Sequence, residues 1–192
     1  MKINVIIPTY KPDEKFERNL RMLRRQTLQP DRILIINTEE SLFHSKEFGK
    51  LPQGEIIHIK KSEFDHGGTR NRAAAMCDGD IIVLLTQDAI PADEYLLENL
   101  TKPFEDPEVC AAYGRQMADW KDNPVEAYTR TFNYPKESRI KSKEDLPVLG
   151  IKTFFCSNVC AAYRKSVYDA MGGFPLHTIF NEDMIFASRL IE

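Results

Sequence analysis

The chain alternates short, nearly uninterrupted apolar runs with longer stretches whose apolar positions recur at helical spacing. Residues 2–7, KINVII, predict a strand that stops at Pro8. Residues 13–26 set Phe16, Leu20 and Leu23 on one helical face with charges between them. Further strands are expected at 31–36 (around ILII), at 55–59, at 80–85 (DIIVLL, the most apolar run) and at 109–113. Helices are expected at 69–77, with Thr69 as N-cap before RNRAAAM, and at 93–104. The second half is less regular. Residues 123–135 read as helix, with Trp120, Tyr128, Phe132 and Tyr134 as aromatic contributions, and 138–147 as a charged, mobile loop. Residues 153–163, TFFCSNVCAAY, read as β-like. A helix at 165–171 closes on Gly172-Gly173, and a last helical pattern spans 181–192 without a stop signal.

Apolar strands alternating with amphipathic helices predict an α/β domain: a mostly parallel central sheet with helices on both faces. Such sheets bind ligands beyond the carboxyl ends of their strands. Chemistry is therefore expected just after Ile7, Ile36, Ile59 and Leu85.

Composition narrows the class. The 192 residues are 42% hydrophobic and 29% charged, ordinary values for one folded domain and unlike a disordered chain. A net charge of -3 argues against a nucleic-acid partner. No apolar stretch approaches the roughly 18 residues of a membrane span, and the N-terminus lacks a signal peptide, so a cytoplasmic location is expected. Cys156 and Cys160 are spaced C-x3-C without a second pair or nearby His pair. With Cys77 and Cys110 they read as reduced thiols in apolar surroundings rather than zinc ligands.

Each strand end carries polar residues that admit two readings. Pro8-Thr9-Tyr10 is a strand stop and loop, or a cradle in which Thr9 meets a base edge and Tyr10 stacks on it. No glycine-rich phosphate loop follows this strand, which disfavours a dinucleotide site. Asn37 either starts an Asx-type turn or bonds a base or ribose. Asp65-His66-Gly67-Gly68-Thr69-Arg70 is a turn and capped helix, or an anion site with Arg70 at the helix N-terminus. Arg70 there opposes the helix dipole, so something negative is expected beside it. Thr86-Gln87-Asp88 is a turn, or a place where a divalent cation relieves a costly lone carboxylate and bridges it to a diphosphate. Glu182-Asp183 complements a helix dipole, or supplies a general base tuned by its neighbour. His66 and His177 read as surface or core histidines.

The order of these strings is more specific than any one of them. VIIPTY, FDHGGTRNRAA, IIVLLTQDAIP, FFCSNVCAAYRKSVYDAMGGF and NEDMIFASRL together resemble the GT-A-type nucleotide-sugar glycosyltransferases of family 2 over nearly the whole chain. FDHGGTRN and TQDA look most like the bacterial rhamnosyltransferase branch. The resemblance implies that Pro8, Thr9, Tyr10 and Asn37 hold the nucleobase and that Asp65 and Arg70 contact the nucleoside and phosphates. Thr86-Gln87-Asp88 occupies the family's D-x-D position with Thr in place of the first Asp, leaving Asp88 as the carboxylate for Mg²⁺ or Mn²⁺ and Gln87 at the nucleotide-sugar site. Asp183 would be the base, and Glu182 would orient it or the acceptor.

The implied activity is inverting transfer of a sugar, with rhamnose favoured, from a nucleotide diphosphosugar to a saccharide or lipid-linked acceptor in surface polysaccharide synthesis. Residues 1–115 would form the nucleotide-sugar-binding half and 116–192 the acceptor and base-bearing half of one domain. Because family members continue past the E-D helix, the chain is expected to be part of a longer design. The alternative is a truncated or inactive nucleotide-sugar binding module. A nucleotidyltransferase or a Rossmann dehydrogenase would need glycines that the first loop lacks. The basic face of the first helix, Arg18, Arg21 and Arg25, reads as solvated and salt-bridged by Glu14 and Glu17. Peripheral contact with the inner face of a membrane is the other use of that face.

Overall fold

The computed structural model describes residues 1–117 and 123–192. Trp120, expected among the aromatic contributions, lies outside them. Six strands form one sheet: β1 (Ile3–Tyr10), β2 (Arg32–Thr38), β3 (Gly54–Ile59), β4 (Ile81–Leu85), β5 (Ala111–Tyr113) and β6 (Cys160–Arg164), in the order β3-β2-β1-β4-β6-β5. β1 pairs in parallel with β2 and β4, and β2 with β3, whereas β6 runs antiparallel to β4 and β5. The helices are α1 (Glu14–Leu23), α2 (His66–Ala75), α3 (Leu96–Thr101), α4 (Pro124–Asn133), α5 (Leu146–Leu149), α6 (Lys165–Ala170) and α7 (Glu182–Ile191).

The uniformly apolar strands hide a two-residue alternation, because the sheet is covered on both faces. Val5, Ile7, Ile33, Ile35, Ile81 and Val83 pack with Phe16, Leu20 and Leu23 of α1 and Leu97 and Leu100 of α3. Ile6, Leu34, Ile36, Ile82 and Leu84 pack the other way. Their partners are Ala73 and Ala74 of α2, Tyr168 of α6 and Phe186 of α7. Tyr163, Tyr168, Phe174 and Phe186 interlock there with ring centroids 5.1–5.9 Å apart.

The structure corrects four local expectations. Pro8 does not end β1, which runs on to Tyr10 paired with β2. The pairing with β4 stops at Ile6, so Pro8 lies where β1 has a single neighbour and a missing N–H costs fewer ladder bonds. Thr69 is not the N-cap of α2. Asp65 is, its Oδ1 accepting from the Gly68 N–H at 2.5 Å while its own N–H donates to Thr69 Oγ1 at 3.1 Å. Both glycines therefore lie inside the first turn, and a Cβ on Gly67 would sit 2.1 Å from the Pro175 carbonyl oxygen. Residues 153–157 are not strand: 150–154 form a 3₁₀ turn, and β6 begins only at Cys160. Residues 138–147 contain a 3₁₀ turn (Lys143–Asp145) and the start of α5.

Candidate nucleotide-sugar and base site

The expected ligand edge assembles at the carboxyl ends of the parallel strands. Register sets Thr9, Asn37 and His58 side by side across β1, β2 and β3. Thr9 is buried and its hydroxyl donates to the Ile7 carbonyl at 3.2 Å. Asn37 is buried too. Its Nδ2 lies 3.1 Å from the Glu39 carbonyl and 3.0 Å from His58 Nδ1, leaving Oδ1 without a partner among the described residues. A buried acceptor with no donor is costly, which singles out Asn37 at this strand end. Tyr10 next to it is exposed, as a stacking platform requires.

The Tyr10 N–H donates to Gln87 Oε1 at 2.9 Å, tying the end of β1 to the loop after β4. Asn19, which sequence reading passed over, is buried on α1. Its Nδ2 reaches the carbonyls of Thr86 (3.2 Å) and Gln87 (3.3 Å) and so fixes that loop from below. Only its polarity on an otherwise apolar helix face signals it in sequence. Asp88 follows on a turn closed by the Ala89 N–H to the Thr86 carbonyl, 3.1 Å. The sequence argument from burial does not hold for Asp88: its carboxylate is exposed and bears no desolvation cost.

Among the described residues no three His, Cys, Asp or Glu side chains are grouped to hold a metal ion. A complete protein cage is thus absent there. The exposed Asp88 carboxylate is the residue there that would hold a divalent cation, which would supply charge neutralisation to a diphosphate.

Beyond β3, a cleft of about 260 Å³ opens at the start of α2, lined by Ile59, Asp65, Gly68, Thr69, Arg72 and His177 among others. Asp65 Oδ2 accepts the His177 N–H at 3.1 Å, joining this helix start to the segment that leads into α7. Arg70 lies in the second turn of α2 rather than at its N-terminus, and is only 7% exposed. Its Nη1 donates to the His66 carbonyl at 2.8 Å and meets Glu182 Oε1 at 3.3 Å. The negative group expected beside Arg70 is therefore the protein's own Glu182.

Asn181 adopts the left-handed conformation (φ 66°) that turns the chain into α7, so Glu182 and Asp183 open that helix. Glu182 is 5% exposed and Asp183 is half-buried. Asp183 Oδ2 accepts the Asn158 N–H at 2.9 Å and Oδ1 the Met184 N–H at 2.8 Å. Burial pushes the Asp183 carboxyl above its ordinary range, and the Glu182 charge adds to this. The Asn158 and Met184 N–H groups and Arg70 oppose it. The Thr86 N–H donates to the Val159 carbonyl at 3.1 Å, which ties the loop carrying Asp88 to the segment whose Asn158 N–H meets Asp183. Asp65 is linked to the segment leading into α7 through the His177 N–H, and Arg70 to α7 through Glu182.

The profile of Glycosyl transferase family 2 matches residues 4–172. The chain belongs to this family. As a family 2 member it is 42% identical, over 193 aligned residues, to the O-antigen chain rhamnosyltransferase RfbN of Salmonella typhimurium, covering all of this chain and 62% of that protein. It is 43% identical to the O-antigen chain rhamnosyltransferase WbaN of Salmonella anatum, covering 98% of this chain and 60% of that protein. The chain thus spans about 60% of the length of the curated relatives it matches. In structure it resembles the mannosyltransferase PcManGT of Pyrobaculum calidifontis, solved with GDP-Man and Mn²⁺. There the TM-score is 0.67 at 20% identity, with 98% of this chain and 51% of that one covered. It also resembles S. aureus TarS 1–349 in complex with UDP-GlcNAc, with TM-score 0.66, 16% identity, and 100% and 53% coverage. These likenesses establish the GT-A fold for this family 2 chain. No helix among the described residues is long and apolar enough to cross a membrane.

Proposed function

We propose that the chain carries the donor site and the general base of an inverting glycosyltransferase. It would move rhamnose from a nucleotide diphosphosugar to a saccharide or lipid-linked acceptor in surface polysaccharide synthesis. The observation that supports this most is the chain of hydrogen bonds between the strand ends and the start of α7. The Tyr10 N–H meets Gln87, the Thr86 N–H meets the Val159 carbonyl and the Asn158 N–H meets Asp183, which ties the loop of Asp88 and the helix start of Asp183 to the end of β1. The named relatives, both O-antigen chain rhamnosyltransferases, favour rhamnose and this pathway class. On this reading residues 1–115 bind the donor and 116–192 supply the base and the acceptor side, and the protein works in the cytoplasm or at the inner face of the membrane. Pro8 and Thr9 shape the floor beneath the base, while Gln87 braces Tyr10. Asp65 holds the start of α2 open to the nucleoside.

Asp183 accepts the proton of an acceptor hydroxyl while that oxygen attacks the anomeric carbon. The bond from that carbon to the diphosphate oxygen breaks on the opposite face, and its electron pair leaves with the nucleoside diphosphate. Configuration is inverted. A carboxyl lifted by burial is a better base than an ordinary aspartate, because its affinity for the proton is higher at the working pH. A divalent ion at Asp88, when bound, neutralises charge on the diphosphate.

Asp183→Asn tests the assignment. General-base loss is worth about 10²–10⁴ in rate, so transfer from a panel of nucleotide sugars should fall by at least about a hundredfold. Binding of nucleoside diphosphate with Mn²⁺, followed by thermal shift, should persist. In the unsubstituted protein kcat should fall on acidification with a midpoint above the ordinary carboxylate range, the direction in which burial moves Asp183. Full transferase activity in Asp183→Asn refutes the base. Nucleotide binding without turnover in the unsubstituted chain favours a binding module.

A further inference from the structure

The segment between the 150–154 turn and β6 holds a buried polar network that the mechanism above does not use. Asn158, 3% exposed, is its hub. Its backbone N–H goes to Asp183 Oδ2 at 2.9 Å, and its Nδ2 donates to Glu182 Oε1 at 3.2 Å. Its Oδ1 accepts from the Tyr163 hydroxyl at 2.9 Å. Tyr163, 1% exposed, is locked by its ring contacts with Tyr168, Phe174 and Phe186, and its oxygen lies 3.4 Å from Cys156 Sγ. Arg70 Nη1 meets the same Glu182 oxygen, Oε1, at 3.3 Å.

Asn158 therefore meets both carboxylates at the start of α7, Asp183 through its main-chain N–H and Glu182 through its side-chain amide, and a rigid aromatic cluster fixes which way that side chain points. We infer that Asn158 is a positioning residue for Asp183, oriented in turn by the Tyr163 hydroxyl. The inference rests on the reading of Asp183 as the base.

Asn158 keeps the Glu182 carboxylate turned toward Arg70 and presents its main-chain N–H to Asp183. That leaves the remaining Asp183 lone pairs directed at the acceptor. A hydrogen bond to the charged form also limits how far burial lifts the carboxyl. The groups that face Asp183 are Glu182 on its own helix, Arg70 on α2, Cys156 ahead of β6 and Tyr134 just past α4. Tyr163 of β6 reaches it through Asn158.

The test uses Asn158→Ala and Tyr163→Phe, the second keeping the aromatic packing and deleting only one hydroxyl. Two readouts are taken: steady-state transfer, and the titration of the Asp183 carboxyl followed by ¹³C NMR, which needs no turnover. Asn158→Ala should lower kcat by about tenfold or more, a fraction of the general-base contribution, with donor KM within about twofold. It should also move the Asp183 titration to higher pH, because the main-chain N–H that Asp183 accepts from is retained but no longer anchored by the side chain's bonds to Glu182 and Tyr163, and so is held less firmly. Tyr163→Phe should do the same to a smaller extent, and it carries the test alone if Asn158→Ala fails to fold. An Asp183 titration and a kcat that both stay at the unsubstituted values in the folded variants overturn the proposal. If the titration moves as expected while Asp183→Asn remains fully active, the base assignment falls instead.

Discussion

Replacing Glu182 by Ala should unfold this protein at markedly lower denaturant and temperature, although the residue sits at the edge of the site. Arg70 and Glu182 are 7% and 5% exposed and meet at 3.3 Å, so each has lost most of its water. Removing the carboxylate leaves a guanidinium in a dry environment where, among the described residues, the His66 carbonyl alone accepts from it. Breaking a buried pair in this way costs about 3–5 kcal/mol. The Asn158 amide N–H loses its acceptor in the same step, which pushes toward the upper end. For a domain of this size each kcal/mol lowers Tm by about 2–4 °C, giving a drop of about 6–20 °C. Urea titration followed by circular dichroism gives the free energy directly, with the slope m expected to stay unchanged.

The double variant Arg70→Met/Glu182→Leu discriminates the cause. Because desolvation offsets most of the attraction in a buried pair, it should recover most of the stability that Glu182→Ala loses. A loss under about 1 kcal/mol for Glu182→Ala, or a double variant as unstable as the sum of the two single ones, would show that Arg70 is not held dry by its partner.

Gly67→Ala should destabilise strongly, since its Cβ would meet the Pro175 carbonyl oxygen at 2.1 Å and backbone must move on both sides; Gly68→Ala, facing the Asp65 side chain at 3.0 Å, should be milder, and thermal melts compare the two. Asp88→Ala should leave the melting temperature within about 2 °C, as expected for an exposed residue, while abolishing the Mn²⁺-dependent part of nucleoside diphosphate binding seen by calorimetry. Native alkylation read by mass spectrometry should label Cys110 first. Burial lifts the thiols of Cys77 and Cys156 to about 11 and that of Cys160 to about 12, so these three should react only on unfolding.

The hydrophobic pattern alone determined the α/β class, the order of strands and helices in the first half, and the edge of the sheet on which polar residues gather. It could do so because an apolar run of five or six residues flanked by amphipathic helices has few ways to be buried other than in a parallel sheet. It also located Asn37, Asp88 and Asp183 at element ends, where side chains are free to face a ligand. Tertiary structure decided what local signals could not. Pro8 stays in β1 because β4 ends before reaching it, a matter of sheet register rather than of residue type. Residues 153–157 look like strand by composition but fold as a turn, because β6 pairs antiparallel with β4 and its register begins at Cys160. Asp88, read as a costly buried charge, is exposed, whereas Arg70, placed at a helix N-terminus with an unspecified negative partner, lies in the second turn of α2 and is buried against a carboxylate 112 positions away. Asn19 and Asn158 carry no motif of their own. Their roles exist only where distant carbonyls and carboxylates arrive within 3.3 Å of one asparagine's side-chain and main-chain N–H groups, and long-range packing alone sets that distance.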